Sequence, residues 1–257
     1  MLVAVTRAVS PTLAECELTH RPRDPINVAK AVAEHACYED ALRSLGAAVV
    51  HAPPEPTLPD AVFVEDTALA LDEVAVITRP GAASRRSETE SMARVLAAYK
   101  PLVRIEPPGT LDGGDVLRVG RRLYVGLSSR TNRAGIAQLE TLLDEWAYEV
   151  IPVTVSGCLH LKSAVTEVRE DLLLINDRWV AAECFGSMEM LTVAPAEPDG
   201  ANALRIGAAV IYPTHHPQTA ERLDRAGVRV VSVPCGELAK AEGGVTCCSV
   251  VFATEPS

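Results

Sequence analysis

Residues 115–125, Asp115-Val116-Leu117-Arg118-Val119-Gly120-Arg121-Arg122-Leu123-Tyr124-Val125, read as two apolar strands folded back on each other at Gly120-Arg121. So short a turn requires antiparallel neighbours, which excludes a strictly parallel doubly wound sheet. A run with helical spacing follows at 129–146. The same unit recurs on either side. Upstream, strands at 67–71 and 74–77 flank Asp72-Glu73 and lead into a helical pattern at 87–99 and a strand at 102–105. Downstream, a third hairpin spans 163–168 and 172–175. A fourth spans 203–206 and 208–212, with a helix at 217–226 and the Val-rich strand 228–233 behind it. A fifth strand, Cys247-Cys248-Ser249-Val250-Val251-Phe252, lacks a downstream partner, and the N-terminal strand at 2–5 supplies one. A helix at 26–45, with Gly46 as its C-cap, and a strand at 47–51 complete that unit.

Intervals of roughly 40 to 50 residues between hairpins are the signature of a repeated supersecondary unit, here two antiparallel strands, a helix and a further strand. Because the last unit borrows the first strand, the chain is expected to close on itself as a propeller does, in one catalytic domain over residues 1–257. A generic α/β sandwich is the alternative.

The composition narrows the function. Of 257 residues 48% are hydrophobic, enough for a substantial core, but only 4% are aromatic, which disfavours platforms that stack nucleic-acid bases. A net charge of −10 argues against phosphate-backbone binding and is compatible with a cationic ligand. Seven scattered cysteines show no zinc-ligand spacing, so free thiols in a reducing, cytoplasmic setting are expected, with no metal and no cofactor. No apolar run is long enough to suggest a membrane span or a secretory leader.

The unusual polar residues precede the first strands of successive hairpins: Asp60, Glu65 and Asp66, then Asp112 and Asp115, then His160, then Cys247. In a closed ring these positions converge at one end of the axis. Each alone has a plain structural explanation. Asp112-Gly113-Gly114-Asp115 serves equally as a turn, His160 lies among apolar neighbours, and Arg85, Arg86 and Arg130 follow second strands, where solvent-facing charge is ordinary. His215-His216 lies between prolines and is expected in an exposed loop. Cys247 and Cys248, read as successive strand residues, point to opposite faces, so at most one enters a pocket. Together the residues fit one chemistry. A thiolate attacks, an imidazole protonates a leaving amine and then activates water, and carboxylates match the planar donors of a guanidinium.

At these residues the sequence resembles the dimethylarginine dimethylaminohydrolases, within the guanidine-modifying superfamily that includes arginine deiminases. The resemblance rests on Leu-Pro-Asp-Ala-Val-Phe-Val-Glu-Asp (58–66), Ile-Thr-Arg-Pro-Gly-Ala (77–82) with Ser-Arg-Arg (84–86), Leu-Asp-Gly-Gly-Asp-Val-Leu (111–117), Val-Gly-Leu-Ser-Ser-Arg-Thr-Asn (125–132), Leu-His-Leu-Lys-Ser (159–163) and Gly-Val-Thr-Cys-Cys-Ser-Val (244–250). It implies the pentein fold, a five-bladed α/β propeller of ββαβ units. It also implies hydrolysis of Nω-methylated arginines to citrulline and a methylamine through a covalent cysteine intermediate. Carried over, Cys247 is the nucleophile, His160 the general acid and base, and Asp112 orients the histidine or holds the guanidinium. Glu65 and Asp66 also bind the guanidinium, Asp60 takes the α-amino group with the carbonyls of Leu18 and Ala241, and Arg85 and Arg130 take the α-carboxylate. Two features depart from the family pattern: Asp112 stands where some bacterial relatives have Glu, and residues 177–199 match poorly, so their structure is left open. A small-molecule substrate, no nucleic acid and no membrane are expected, in a monomer or homodimer. The rival readings are an arginine deiminase acting on unmodified arginine and a non-catalytic binding protein on the same scaffold.

Overall fold

The hairpin at 115–125 is one of five copies. In the computed structural model, which describes residues 1–254, there are fifteen strands: β1 (Leu2–Thr6), β2 (Ala48–His51), β3 (Ala68–Ala70), β4 (Ala75–Ile77), β5 (Leu102–Arg104), β6 (Val116–Val119), β7 (Arg122–Leu127), β8 (Glu149–Thr154), β9 (Val165–Arg169), β10 (Leu172–Ile175), β11 (Glu189–Thr192), β12 (Leu204–Ile206), β13 (Ala209–Pro213), β14 (Arg229–Val233) and β15 (Val250–Ala253). Six helices join them: α1 (Val28–Ser44), α2 (Glu88–Leu96), α3 (Arg133–Leu143), α4 (Leu161–Ala164), α5 (Pro217–Arg225) and α6 (Gly236–Lys240). The last three residues of the expected 1–257 domain lie outside the described residues.

The strands form five three-stranded sheets with one pattern, antiparallel then parallel: β3-β4-β5, β6-β7-β8, β9-β10-β11, β12-β13-β14 and β15-β1-β2. In the fifth, β1 runs between β15 and β2, pairing Val3 with Phe252 on one side and with Ala48 on the other. The leading strands face the axis. A cavity of about 320 Å³ takes lining residues from all five of them, among them Leu69, Leu117, Thr166, Leu204 and Val251. This is a five-bladed α/β propeller, the pentein fold.

Local sequence explains where the helices start and stop. Asn27 caps α1 by accepting the Lys30 N–H at 3.0 Å, and Asn132 caps α3 by accepting that of Gly135 at 2.8 Å. Such caps are worth about 1 kcal/mol each. Gly46, at φ +89°, takes the left-handed step that ends α1. The third unit has no long crossover helix. Residues 177–199, left open by the sequence, contain a 3₁₀ turn at Ala182–Phe185 and then β11.

The fifth strand begins later than its sequence suggests. β15 starts at Val250, and Cys247 and Cys248 lie in the turn before it, so strand alternation cannot separate the two thiols. Burial separates them: Cys248 is 1% exposed and packs into the core with Tyr38 and Val62, while Cys247 is only partly buried.

Candidate active site

Three short turns that open successive blades build the site. The 3₁₀ turn Val64–Thr67 holds Asp66, the 3₁₀ turn Gly113–Asp115 follows Asp112, and His160 caps α4. Glycine permits their approach. A Cβ on Gly114 would lie 2.6 Å from His160 Nδ1 and 2.7 Å from Asp66 Oδ1, and one on Gly113 would lie 2.0 Å from the Glu65 carbonyl oxygen. The Asp-Gly-Gly-Asp turn is therefore a spacer without side chains between carboxylates and imidazole.

His160 Nε2 is 3.0 Å from Asp112 Oδ2, and Nδ1 is 3.8 Å from Asp66 Oδ1. Aspartate at 112 reaches the ring despite its short side chain, and its other oxygen accepts the Gly81 N–H at 2.8 Å. Asp112 is fully buried and both its oxygens are occupied, which places it behind the histidine and away from the cavity wall. Burial alone would lower the His160 pKa, but Asp66, the hydrogen bond to Asp112 and the charge of Asp115 outweigh it and raise the pKa to about 9. The imidazole is thus a protonated acid at neutral pH.

Asp66 accepts the Gly114 N–H at 3.0 Å on Oδ1 and Arg85 Nη1 at 2.5 Å on Oδ2. Its burial favours the neutral form, but His160 and Arg85 overcome that and hold its pKa below the ordinary range, so it remains a carboxylate. Burial raises the Cys247 pKa, and the negative charges of Glu65 and Asp66 raise it further, although the Gly244 N–H donates to Sγ at 3.2 Å. On its own the site therefore pairs a protonated thiol with a protonated imidazole. A cation placed beside Asp66 favours the thiolate.

Cys247, His160 and Asp66 share a cavity with Asp60, Arg85, Arg130 and Ala241. Its free volume is only about 20 Å³. Arg85 is not the solvent-facing side chain that its position after a second strand suggests. It is 4% exposed, with Nε and Nη2 on Glu88 at 3.1 and 2.8 Å and Nη1 on Asp66. Arg130, 8% exposed, also points inward, with Nη2 donating to Thr19 Oγ1 at 3.2 Å.

Glu65 is not brought to this cavity. Its carboxylate accepts Lys162 Nζ at 2.5 Å and Thr246 Oγ1 at 2.9 Å, and it lines the axial cavity on the other side. Asp115 is also turned away, accepting Ser128 Oγ at 2.6 Å and the Leu161 N–H at 2.9 Å, with burial raising its pKa to about 6. Leu18 lies in the covering segment, half-buried against the core. His216 is buried against Tyr212, contrary to the exposed loop expected, while His215 is exposed. Glu17, Phe63, Leu159 and Glu242 line the cavity but were not singled out from the sequence. Phe63 and Leu159 stood inside the matched motifs, where their apolar side chains gave no chemical signal.

Among the described residues, Asp66, Asp112 and His160 bring one oxygen or nitrogen each within 4.8 Å of one another and could hold a cation. Asp66 Oδ1 accepts the Gly114 N–H, and Asp112 Oδ2 is hydrogen-bonded to His160 Nε2.

A cysteine, an imidazole and carboxylates gathered at one end of a five-bladed α/β propeller define the guanidine-modifying class of this fold. The family model described as "N,N dimethylarginine dimethylhydrolase, eukaryotic" matches residues 18–183. The chain is 36% identical to N(G),N(G)-dimethylarginine dimethylaminohydrolase of Pseudomonas aeruginosa over 87% of its length and 89% of that protein. It is 38% identical to the Streptomyces coelicolor protein of the same name, over 96% and 95%. It superimposes with TM-score 0.93 on a cysteine-to-serine variant of the Pseudomonas aeruginosa enzyme complexed with citrulline, at 33% identity, covering 97% of this chain and 98% of that one. The chain belongs to the dimethylarginine dimethylaminohydrolase family.

Proposed function

We propose that this protein hydrolyses Nω-methylated L-arginines to L-citrulline and methylamine or dimethylamine, with Cys247 as nucleophile. The observation that carries the reading is the cavity in which Cys247, His160 and Asp66 meet, with the imidazole held between Asp112 at 3.0 Å and Asp66 at 3.8 Å. Asp66 receives the guanidinium, whose charge lowers the thiol pKa, and the thiol proton passes to solvent. The thiolate adds to the guanidinium carbon. As the tetrahedral adduct collapses, His160 gives its proton to the departing amine and a thiouronium remains on Cys247. The neutral imidazole then takes a proton from water, hydroxide adds, and collapse to citrulline returns the thiolate.

Asp112 keeps the imidazole oriented, while Asp60 and the carbonyls of Leu18 and Ala241 receive the α-ammonium. Arg130 has free donors for the α-carboxylate, and Arg85 contributes to the same charge while holding Asp66 in place. Glu65, fastened to Lys162 and Thr246, braces the turn that carries Cys247 and does not touch the guanidinium. The substrate is a small molecule. Among the described residues no helix is long and apolar enough to cross a membrane.

The rival reading is an arginine deiminase acting on unmodified arginine. Incubation with asymmetric dimethylarginine, monomethylarginine and arginine, with citrulline and amine measured, tests the reading. Citrulline from the methylated substrates in preference to arginine is expected, and none from any of the three overturns it.

A further inference from the structure

Glu242 follows Ala241 directly and opens the turn that leads through Gly243 and Gly244 to Cys247. Its backbone is left-handed, at φ +58°. Its side chain makes an unusual set of contacts. Oε2 accepts the Thr19 N–H at 3.0 Å, and Oε1 accepts the N–H groups of His20 and Arg21, each at 2.6 Å. Three successive backbone donors thus converge on one carboxylate, in charge-assisted hydrogen bonds stronger than those to a neutral acceptor. These donors follow Leu18 in the chain. One side chain therefore fastens the segment that follows Leu18 to the turn that follows Ala241.

The fastened segment covers the cavity. Glu17 N–H donates to Asp60 Oδ2 at 3.1 Å, Arg130 reaches Thr19 at 3.2 Å, and Arg21 pairs with Asp199 at 2.5 Å. The cavity beneath is small, and Glu17, Ala241 and Glu242 are among its lining residues. The register of residues 19–21 against the turn before Cys247 is set where the three N–H groups meet Glu242.

We infer that Glu242 is a positioning residue that sets the spacing of the Leu18 and Ala241 carbonyls, and so confers recognition of a free α-ammonium group. The inference rests on the methylarginine reading above. Glutamine at 242 keeps the size but loses the charge, and offers one oxygen and an NH₂ to three donors.

The test is steady-state kinetics of wild-type protein, Glu242→Gln and Glu242→Asp, using Nω-monomethyl-L-arginine and its analogue lacking the α-amino group. For the amino acid, Glu242→Gln is expected to raise KM about tenfold with kcat within about threefold, the pattern of lost uniform binding. For the analogue the loss is expected to be small, so the preference for the amino acid shrinks about tenfold, with Glu242→Asp in between. Equal losses for both compounds would mean a merely structural role and overturn the inference. If Glu242→Gln melts below assay temperature, the same comparison is made with Glu242→Asp, which retains the charge: a shrunken preference supports the inference and equal losses overturn it. A wild-type protein that turns over neither compound overturns the functional reading itself, and this inference with it.

Discussion

Glu65 and Asp66 are neighbours in the chain and share one 3₁₀ turn, yet they line different cavities. Asp66 faces a small cavity with Cys247, His160 and Arg85, while Glu65 faces a larger one lined from all five leading strands and is paired with Lys162. Both are buried, and burial penalises both charges. They differ in what overcomes the penalty. His160 and Arg85 hold Asp66 below the carboxylate range, whereas Glu65 stays raised despite Lys162. One acid is kept charged in the cavity that holds Cys247, and the other is tied to the turn that carries that thiol. Adjacent residues of one type can thus be divided between chemistry and structure by a single turn of backbone.

If the chemistry belongs to the Asp66 side alone, the largest effect follows from its thiol. Cys247→Ser should lower kcat by at least on the order of 10⁴-fold with near-native melting, because the alcohol is a far weaker nucleophile here. Substantial turnover by the purified variant would refute the assignment.

The paired variants Asp66→Asn and Glu65→Gln address the division directly. Asp66→Asn should reduce kcat/KM by about 10² to 10³-fold through the lost guanidinium contact. Glu65→Gln leaves the half-buried Lys162 without its charged partner and should cost about 1 to 2 kcal/mol of stability, with a much smaller kinetic effect. Kinetics and chemical denaturation of the two proteins side by side decide the matter. Equal kinetic loss with unchanged stability in Glu65→Gln would break the comparison.

Asp112→Asn is expected to act on pH dependence. The wild-type acid form of His160 is lost as pH rises through about 9, so kcat/KM should fall there. Removing the Asp112 charge takes away one of the influences raising that pKa, and the alkaline limb should move to lower pH. A limb that does not move would assign it to another group. The same shift bears on stability. Because folding raises the His160 pKa, the stabilisation is complete below the unfolded value and is lost as pH rises through about 9. Smallest of all, Cys248→Ser should leave kcat within about threefold and cost about 1 kcal/mol, since it places a hydroxyl in the core. A variant as inactive as Cys247→Ser would reverse the choice of nucleophile.

The repeated hairpins, the closure of the ring by β1 and the identity of the polar residues at the blade openings were all legible in the sequence. Strand pairing over short turns depends on alternation and turn residues, and these are local. The division within the site was not legible. Strand alternation misassigned the setting of Cys247 and Cys248, because the turn before Val250 breaks the period. Glu242 carried no signal as an acid beside two glycines, since its partners lie more than two hundred residues away.

What the sequence alone determined is the list of reactive groups and the unit that repeats around them. Tertiary structure decided which of those groups meet: Asp112 behind His160, Arg85 on Asp66, and Glu65 turned to Lys162. The physical reason is that charge and burial act through space. Blades far apart in the chain place their opening turns a few ångströms apart, and only there does a neighbour's charge fix whether a carboxylate, a thiol or an imidazole is ionised.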